Sequence, residues 1–301
     1  MQWFQIKEQS AGKKRLWLSW YLYKIFGKNI LYLIAFIAAF FTFILSKSIR
    51  GYSKKYLTVI KPYTNIKPSL YNQFKHIYAY ASCLVDKLLV YSGDFLDKDI
   101  VFDNEDDKRQ LFEDIEKKKG VFFICNHIGN IEVLQTFLLN KITVHDFGIN
   151  VFSSSQQSRI FNDFLTNIKM DLPVKIFPVE DIGLNTGIEL KENLDKGDIV
   201  FIAGDRLAEN NDKKNMERNM FSHGIMLPIG TFKLANLMEV PTYFITAVKC
   251  GRQYKIYLEK QTCLLQTELI NSFIKYLEKI ILKYPFQFFQ FYDFFNQTGQ
   301  S

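Results

Sequence analysis

The stretch Gly120-Val-Phe-Phe-Ile-Cys125-Asn126-His127-Ile-Gly129-Asn130-Ile-Glu132-Val-Leu134 decides how this chain is read. Five apolar residues after a glycine suit a strand buried on both faces. The short polar run that follows reads as a turn, and the residues after it as a helix start. On one continuous helix His127 and Glu132 would point about 140° apart, at ~100° per residue. With His127 in the turn and Glu132 in the first helical turn they can face each other. Gly129 permits the bend, and Asn130 is a candidate N-cap. A carboxylate there gains from the helix dipole and could fix the imidazole tautomer. The pair is then a candidate base and orienting partner, able to take a proton from a hydroxyl as its oxygen attacks a carbonyl. The plainer reading is a surface histidine and a glutamate that favours a helix start.

Outward from this stretch the pattern alternates. Strands are expected near 121–125, 142–149, 174–178, 198–203, 241–248 and 253–259, and helices near 131–139, 157–169, 185–195, 229–238 and 266–283. Such alternation predicts an α/β fold, a mixed sheet flanked by helices, with functional residues beyond the carboxyl ends of strands. His127 and the pair Asp205-Arg206 both follow expected strands, so both can line one crevice. The chain carries no GxGxxG, no GxxxxGK[ST] and no Gly-x-Ser-x-Gly, which argues against nucleotide-binding folds and serine hydrolases. The stretch Asn210–Arg218 is polar and reads as an exposed loop beside the site.

With 301 residues the chain has room for one large α/β domain plus an appendage. Aromatic residues make up 16% of it, including 29 Phe, which suggests contact with apolar material beyond an ordinary core. The net charge of +7 suits nucleic acid, an anionic membrane surface or an acidic carrier protein. Nucleic acid loses support because no zinc finger, helix-turn-helix or aromatic RNA-binding motif is present. Cys83, Cys125, Cys250 and Cys263 form no CxxC pair and read as reduced thiols. Cys125, two residues from His127, reads as a small buried side chain rather than a nucleophile. His76, His127, His145 and His223 fall in no metal-ligand spacing, so no metal is expected; no cofactor is expected either.

The chain divides into an N-terminal basic and hydrophobic membrane-anchoring segment (1–50), a helical region packing on the catalytic domain (51–119), and a catalytic α/β domain (120–296). Residues 29–46 are uncharged. As a helix they would run about 27 Å at ~1.5 Å per residue, barely enough to span a bilayer. The run begins too late for a signal peptide, and its flanks are basic on both sides, so it could span or lie within one leaflet. Residues 52–95 read as amphipathic helix, with Phe74, Tyr78, Leu84, Leu88 and Leu89 at helical spacings. The charged run 103–119 reads as a solvated helix face or connector.

Four blocks in order resemble the bacterial lipid A biosynthesis (lauroyl/myristoyl) acyltransferase family, within the wider His-x4-Asp/Glu acyltransferases. They are Asn126-His127-Ile-Gly-Asn-Ile-Glu132, Val200-Phe-Ile-Ala-Gly204-Asp205-Arg206, Phe221 to Ala235, and Pro285 to Phe295. The likeness runs from about Trp3 to Phe295. The aromatic ending departs from the family's Trp-rich one and is closer to a divergent subgroup of predicted acyltransferases, some associated with pigment clusters, which leaves the acceptor open. The resemblance implies a glycerolipid-acyltransferase-like fold and transfer of a fatty acyl group from acyl carrier protein or acyl-CoA to a lipid or glycolipid acceptor. It implies His127 as base and Glu132 as its partner. Arg206 would bind a phosphate, Asp205 would position Arg206 or the turn, and Arg159 would contact substrate. A backbone amide near Gly129 or Asn130 would stabilise the oxyanion. The expected location is the bacterial inner membrane, with the site on the cytoplasmic side. The alternative is a catalytically silent partner that binds lipid or carrier protein in a membrane assembly.

Overall fold

The computed structural model describes residues 13–91, 99–133, 138, 147–153, 174–207, 214–262 and 265–296. The chain opens with four helices: α1 (Lys13–Phe26), α2 (Lys28–Leu45), α3 (Lys47–Ile60) and α4 (Leu70–Tyr91). The region expected to be helical over 52–95 is helical in two pieces, with a break between them and residues 92–95 outside the described residues. Lys61–Tyr63 forms a 3₁₀ turn, and Pro62 and Pro68 keep the backbone between α3 and α4 from continuing helically. Strand β1 (Ile100–Phe102) and helix α5 (Glu105–Glu116) follow, the helix capped by the Asn104 side chain on the amide of Asp106.

The α/β body then runs β2 (Val121–Cys125), β3 (Ile149–Ser153), β4 (Val174–Pro178), α6 (Leu184–Asp195) and β5 (Ile199–Ala203). After these come a hairpin of β6 (Asn215–Met220) and β7 (His223–Pro228), helix α7 (Ile229–Met238), β8 (Thr242–Cys250), β9 (Gln253–Gln261) and α8 (Gln266–Lys283). Seven strands form one mixed sheet in the order β1-β9-β8-β2-β5-β3-β4. Strands β8, β2, β5, β3 and β4 run parallel, β9 is antiparallel to β8, and β1 runs parallel to β9.

The sheet is covered on both faces because its central strands alternate. Phe122, Ile124, Val200, Ile202 and Phe244 pack toward α3, α6, α7, α8 and the C-terminal segment. Val121, Phe123, Ile199, Phe201 and Tyr243 pack on the other face against Leu111 and Ile115 of α5. Most expected elements on described residues lie within a residue or two of the observed ones; the helix expected over 157–169 and most of that over 131–139 lie outside the described residues. The strand expected over 142–149 starts only at Ile149, with 142–146 outside the described residues. The polar stretch expected as a loop ends in β6, which pairs with β7 through a turn at Phe221-Ser222.

Chain order fixes where a site can form. From β2 the chain moves outward to β3 and β4, returns to β5 beside β2, and then crosses to β8 on the other side of β2. The loops after β2 and β5 therefore leave neighbouring parallel strands at the same end, which is where open α/β sheets hold ligands.

Candidate active site

His127 stands two residues past the end of β2, and Asp205 two residues past the end of β5. The register Cys125 opposite Ala203 brings the two turns side by side. Asp205 clamps the histidine twice. One carboxylate oxygen accepts from the His127 backbone amide at 2.7 Å, and the other lies 2.7 Å from the ring Nδ1. Gln290 donates to Asp205 through Nε2 at 2.8 Å, and the carboxylate is wholly buried. Burial opposes ionisation of Asp205, but the His127 ring and backbone amide and the Arg206 guanidinium outweigh it. The carboxyl is therefore held below its usual range. With Nδ1 engaged and the side chain 29% exposed, Nε2 is the nitrogen left to face a substrate.

This geometry corrects the expected role of Glu132. The partner holding the His127 ring is Asp205, and Glu132 ion-pairs with Lys87 of α4. Glu132 stays close enough to feel the histidine's charge. Burial raises its pKa, but Lys87, first among the opposing influences, brings the net shift downward. Sequence spacing misleads here because the loop of a parallel strand faces its neighbour's loop more closely than its own continuation. The sequence shows only that Asp205, like His127, follows a strand; that the two strand ends lie side by side is set by the pairing of β2 with β5.

The amides of Gly129 and Asn130 themselves are not free for an oxyanion, because those from His127 to Asn130 are all engaged. His127 donates to Asp205, Ile128 to the Asn126 side chain at 3.1 Å, Gly129 to the Gln287 carbonyl at 2.8 Å, and Asn130 to the Ala247 carbonyl at 2.7 Å. Gly129 has φ +68°, and a Cβ there would sit 2.0 Å from the Ala247 carbonyl oxygen, so only glycine fits. Asn130 is buried. Its Nδ2 reaches the Cys83 carbonyl at 3.4 Å, while its Oδ1 makes no capping bond, so it braces the turn against α4 rather than capping a helix or meeting a substrate.

The C-terminal segment is part of the site's wall. Phe288 bridges Ile128, the Phe289 amide donates to the His127 carbonyl at 2.9 Å, and the Gln287 side chain pairs with both backbone groups of Lys249. Gln290 was not singled out in the sequence, because a glutamine in an aromatic run carries no motif.

Helix α4 forms the adjoining wall through Cys83, whose thiol donates to the Gly129 carbonyl, and through Lys87. Burial pushes the Cys125 thiol well up, which removes it as a nucleophile. Arg206 follows Asp205 directly, half-buried beside the crevice. Arg159 lies outside the described residues. Among the described residues no cluster of His, Cys, Asp and Glu is arranged to hold a metal. No protein-family model matches the chain, and no curated protein shows significant similarity to it.

Proposed function

We propose that this protein is a membrane-associated acyltransferase. It moves a fatty acyl group from an acyl thioester, on acyl carrier protein or coenzyme A, to a hydroxyl or amine of a lipid or glycolipid acceptor. The observation that carries the reading is the double clamp of Asp205 on His127, which fixes the tautomer and leaves Nε2 as the basic nitrogen. Nε2 takes the acceptor proton as the acceptor oxygen or nitrogen attacks the thioester carbonyl. The C–S bond then breaks and the departing sulfur receives that proton. The thioester is already activated, so no covalent enzyme intermediate is required. Buried Asp205 stabilises the transient imidazolium, the part the resemblance gives to Glu132. Glu132 instead holds Lys87 at the rim.

Arg206 is the candidate for a phosphate of the donor's phosphopantetheine arm or of the acceptor. The basic chain suits an acidic carrier protein and an anionic bilayer, which supports a site at the cytoplasmic face of a bacterial inner membrane. Comparative lipid mass spectrometry on cells with the wild-type gene, a deletion and His127→Ala tests the reading. One lipid species should lose a single acyl mass in both mutants. A lipid change in the deletion alone would leave the protein as a silent binding partner.

A further inference from the structure

Helix α2 is, among the described residues, the one helix long and apolar enough to cross a membrane, with a mean hydropathy of 2.0. Its two faces differ. Leu31, Ala35 and Ala39 are buried at helical spacing, whereas Leu33, Ile37, Phe40, Phe41 and Ile44 form an exposed stripe on the opposite side. Nearby α1 exposes Leu18, Tyr21 and Ile25 at the same kind of spacing. A core helix would not leave such a stripe bare.

The helix is tied to the α/β body along its length. Tyr32, one turn into α2, donates to Asp86 of α4, which also receives Lys249 of β8 at 2.8 Å and Tyr254 of β9 at 2.6 Å. Phe36 and Phe43 stack edge-on against Phe74 of α4. Immediately after α2, α3 returns to the same body. Ser53 meets His76, Lys55 pairs with Asp293, and Tyr56 donates to the Pro285 carbonyl at 2.7 Å. Helix α4, against which α2 lies, also carries Cys83 and Lys87, which touch the His127 turn and Glu132. If α2 crossed a bilayer, these charged groups and the strand ends would lie at the level of the hydrocarbon, where open sheets and unshielded charges are not tolerated.

Charge distribution points to the occupant of the bare stripe. Between residues 13 and 85 the sequence holds twelve Lys and Arg and no Asp or Glu. The whole chain carries +7, so the remainder is net negative. Lys24, Lys28, Lys47 and Lys54 flank the apolar stripe and are exposed.

We propose that α1 and α2 lie in the plane of one anionic leaflet. The stripe of α2 is sunk to the acyl boundary, the basic flanks sit among headgroups, and both ends of α2 stay on the side of the α/β body. Helix–helix spacing of about 8–10 Å then puts the His127 crevice one helix layer from the lipid.

The test uses the full chain with vesicles of phosphatidylcholine, with and without phosphatidylglycerol, in a flotation assay. The protein should float with the anionic vesicles, and added salt should weaken the binding. Ile37→Glu with Phe40→Glu should cut binding at least ten-fold with an unchanged thermal melt, since both side chains are exposed. In reconstituted vesicles, cysteines placed as Asn29→Cys and Ser46→Cys should both react with an impermeant maleimide from the side bearing the α/β body, above the background of the unsubstituted chain. Labelling from opposite sides would show a spanning helix and overturn the proposal. So would failure to float combined with sedimentation as a dimer that Phe40→Glu dissociates, because the stripe would then be covered by a second copy.

Discussion

A single carboxylate, that of Asp205, holds both the backbone amide and the ring Nδ1 of His127, each at 2.7 Å. One side chain thus sets where the loop after β2 lies and which ring nitrogen faces outward. Asp205→Asn keeps the size but loses the negative charge and, in one amide orientation, turns a donor toward Nδ1. By analogy with other histidine–carboxylate pairs, kcat should fall about 10²–10⁴-fold. Glu132→Gln leaves that clamp intact and disturbs only the pairing with Lys87, so its effect on kcat should be smaller. Steady-state turnover of an acyl thioester by the two variants decides the matter. The reverse order of effects would return the orienting role to Glu132.

Gln290 is a positioning residue for the same carboxylate. Gln290→Leu preserves bulk in the aromatic segment but removes one hydrogen bond to a buried charge, an interaction typically worth ~1.5–3 kcal/mol. The expected result is a kcat loss of about ten-fold or more with KM changed far less, and an acid limb of the kcat profile displaced relative to wild type. A purely structural role would instead lower stability and leave the profile of the folded fraction in place.

The parts of this molecule legible in the sequence are those in which local pattern and tertiary environment agree. The run 121–125 is apolar throughout because both faces of the central strand are buried, and α8 reads as a helix because Leu269, Phe273, Leu277 and Ile280 repeat along one face. The β6–β7 hairpin was illegible because its turn places Phe221 and Ser222 at φ 49° and 60°, where asparagine and glycine are the usual signal. Three-residue β1 is too short to show a period. At the site, His127 was legible as a polar break after a buried strand. Its partner was not, because the pairing of β2 with β5 is a long-range fact that spacing along the chain does not encode.

Gly129→Ala tests the close approach of the turn to β8. The left-handed backbone and the 2.0 Å gap to the Ala247 carbonyl leave no room for a methyl group, and the amides on either side are committed to Gln287 and Ala247. A loss of about 3 kcal/mol or more is expected in urea unfolding. Ala substitution at Gly230, which meets open space, should cost far less and serves as the control.

Lys249 is the cation closing the buried cluster around Asp86. Lys249→Met leaves that carboxylate with the hydroxyls of Tyr32 and Tyr254 alone, and a cost of about 3 kcal/mol is expected. Adding Asp86→Asn removes the stranded charge. The double variant should therefore be more stable than the sum of the single losses by at least about 1 kcal/mol, read from a double-mutant cycle in urea. Additive losses would mean that the two groups do not interact.

His76 supplies a pH dependence of stability. It is buried, with Nδ1 3.1 Å from the Ser53 hydroxyl and Nε2 2.8 Å from the Phe288 carbonyl, among the rings of Tyr56, Phe289 and Phe291. Burial pushes its pKa down to about 4, and the bond to Phe288 only partly offsets this. The unfolded chain, with a value near ~6.5, binds the proton first, so stability is complete above that pH and declines as pH falls toward 4. About 2 kcal/mol should be lost from this group between pH 7 and pH 5. Asp205 and Glu132, both held below the usual carboxylate range, add their losses only at lower pH, once they too are protonated. His76→Gln, which keeps a side chain able to reach the Phe288 carbonyl but cannot titrate, should be less stable than wild type at pH 7 and lose less on going to pH 5. Urea midpoints at the two pH values give the comparison. Equal losses in the two proteins would place the acid sensitivity elsewhere, and a steeper loss in the variant would mean that the neutral imidazole had protected the fold rather than limited it.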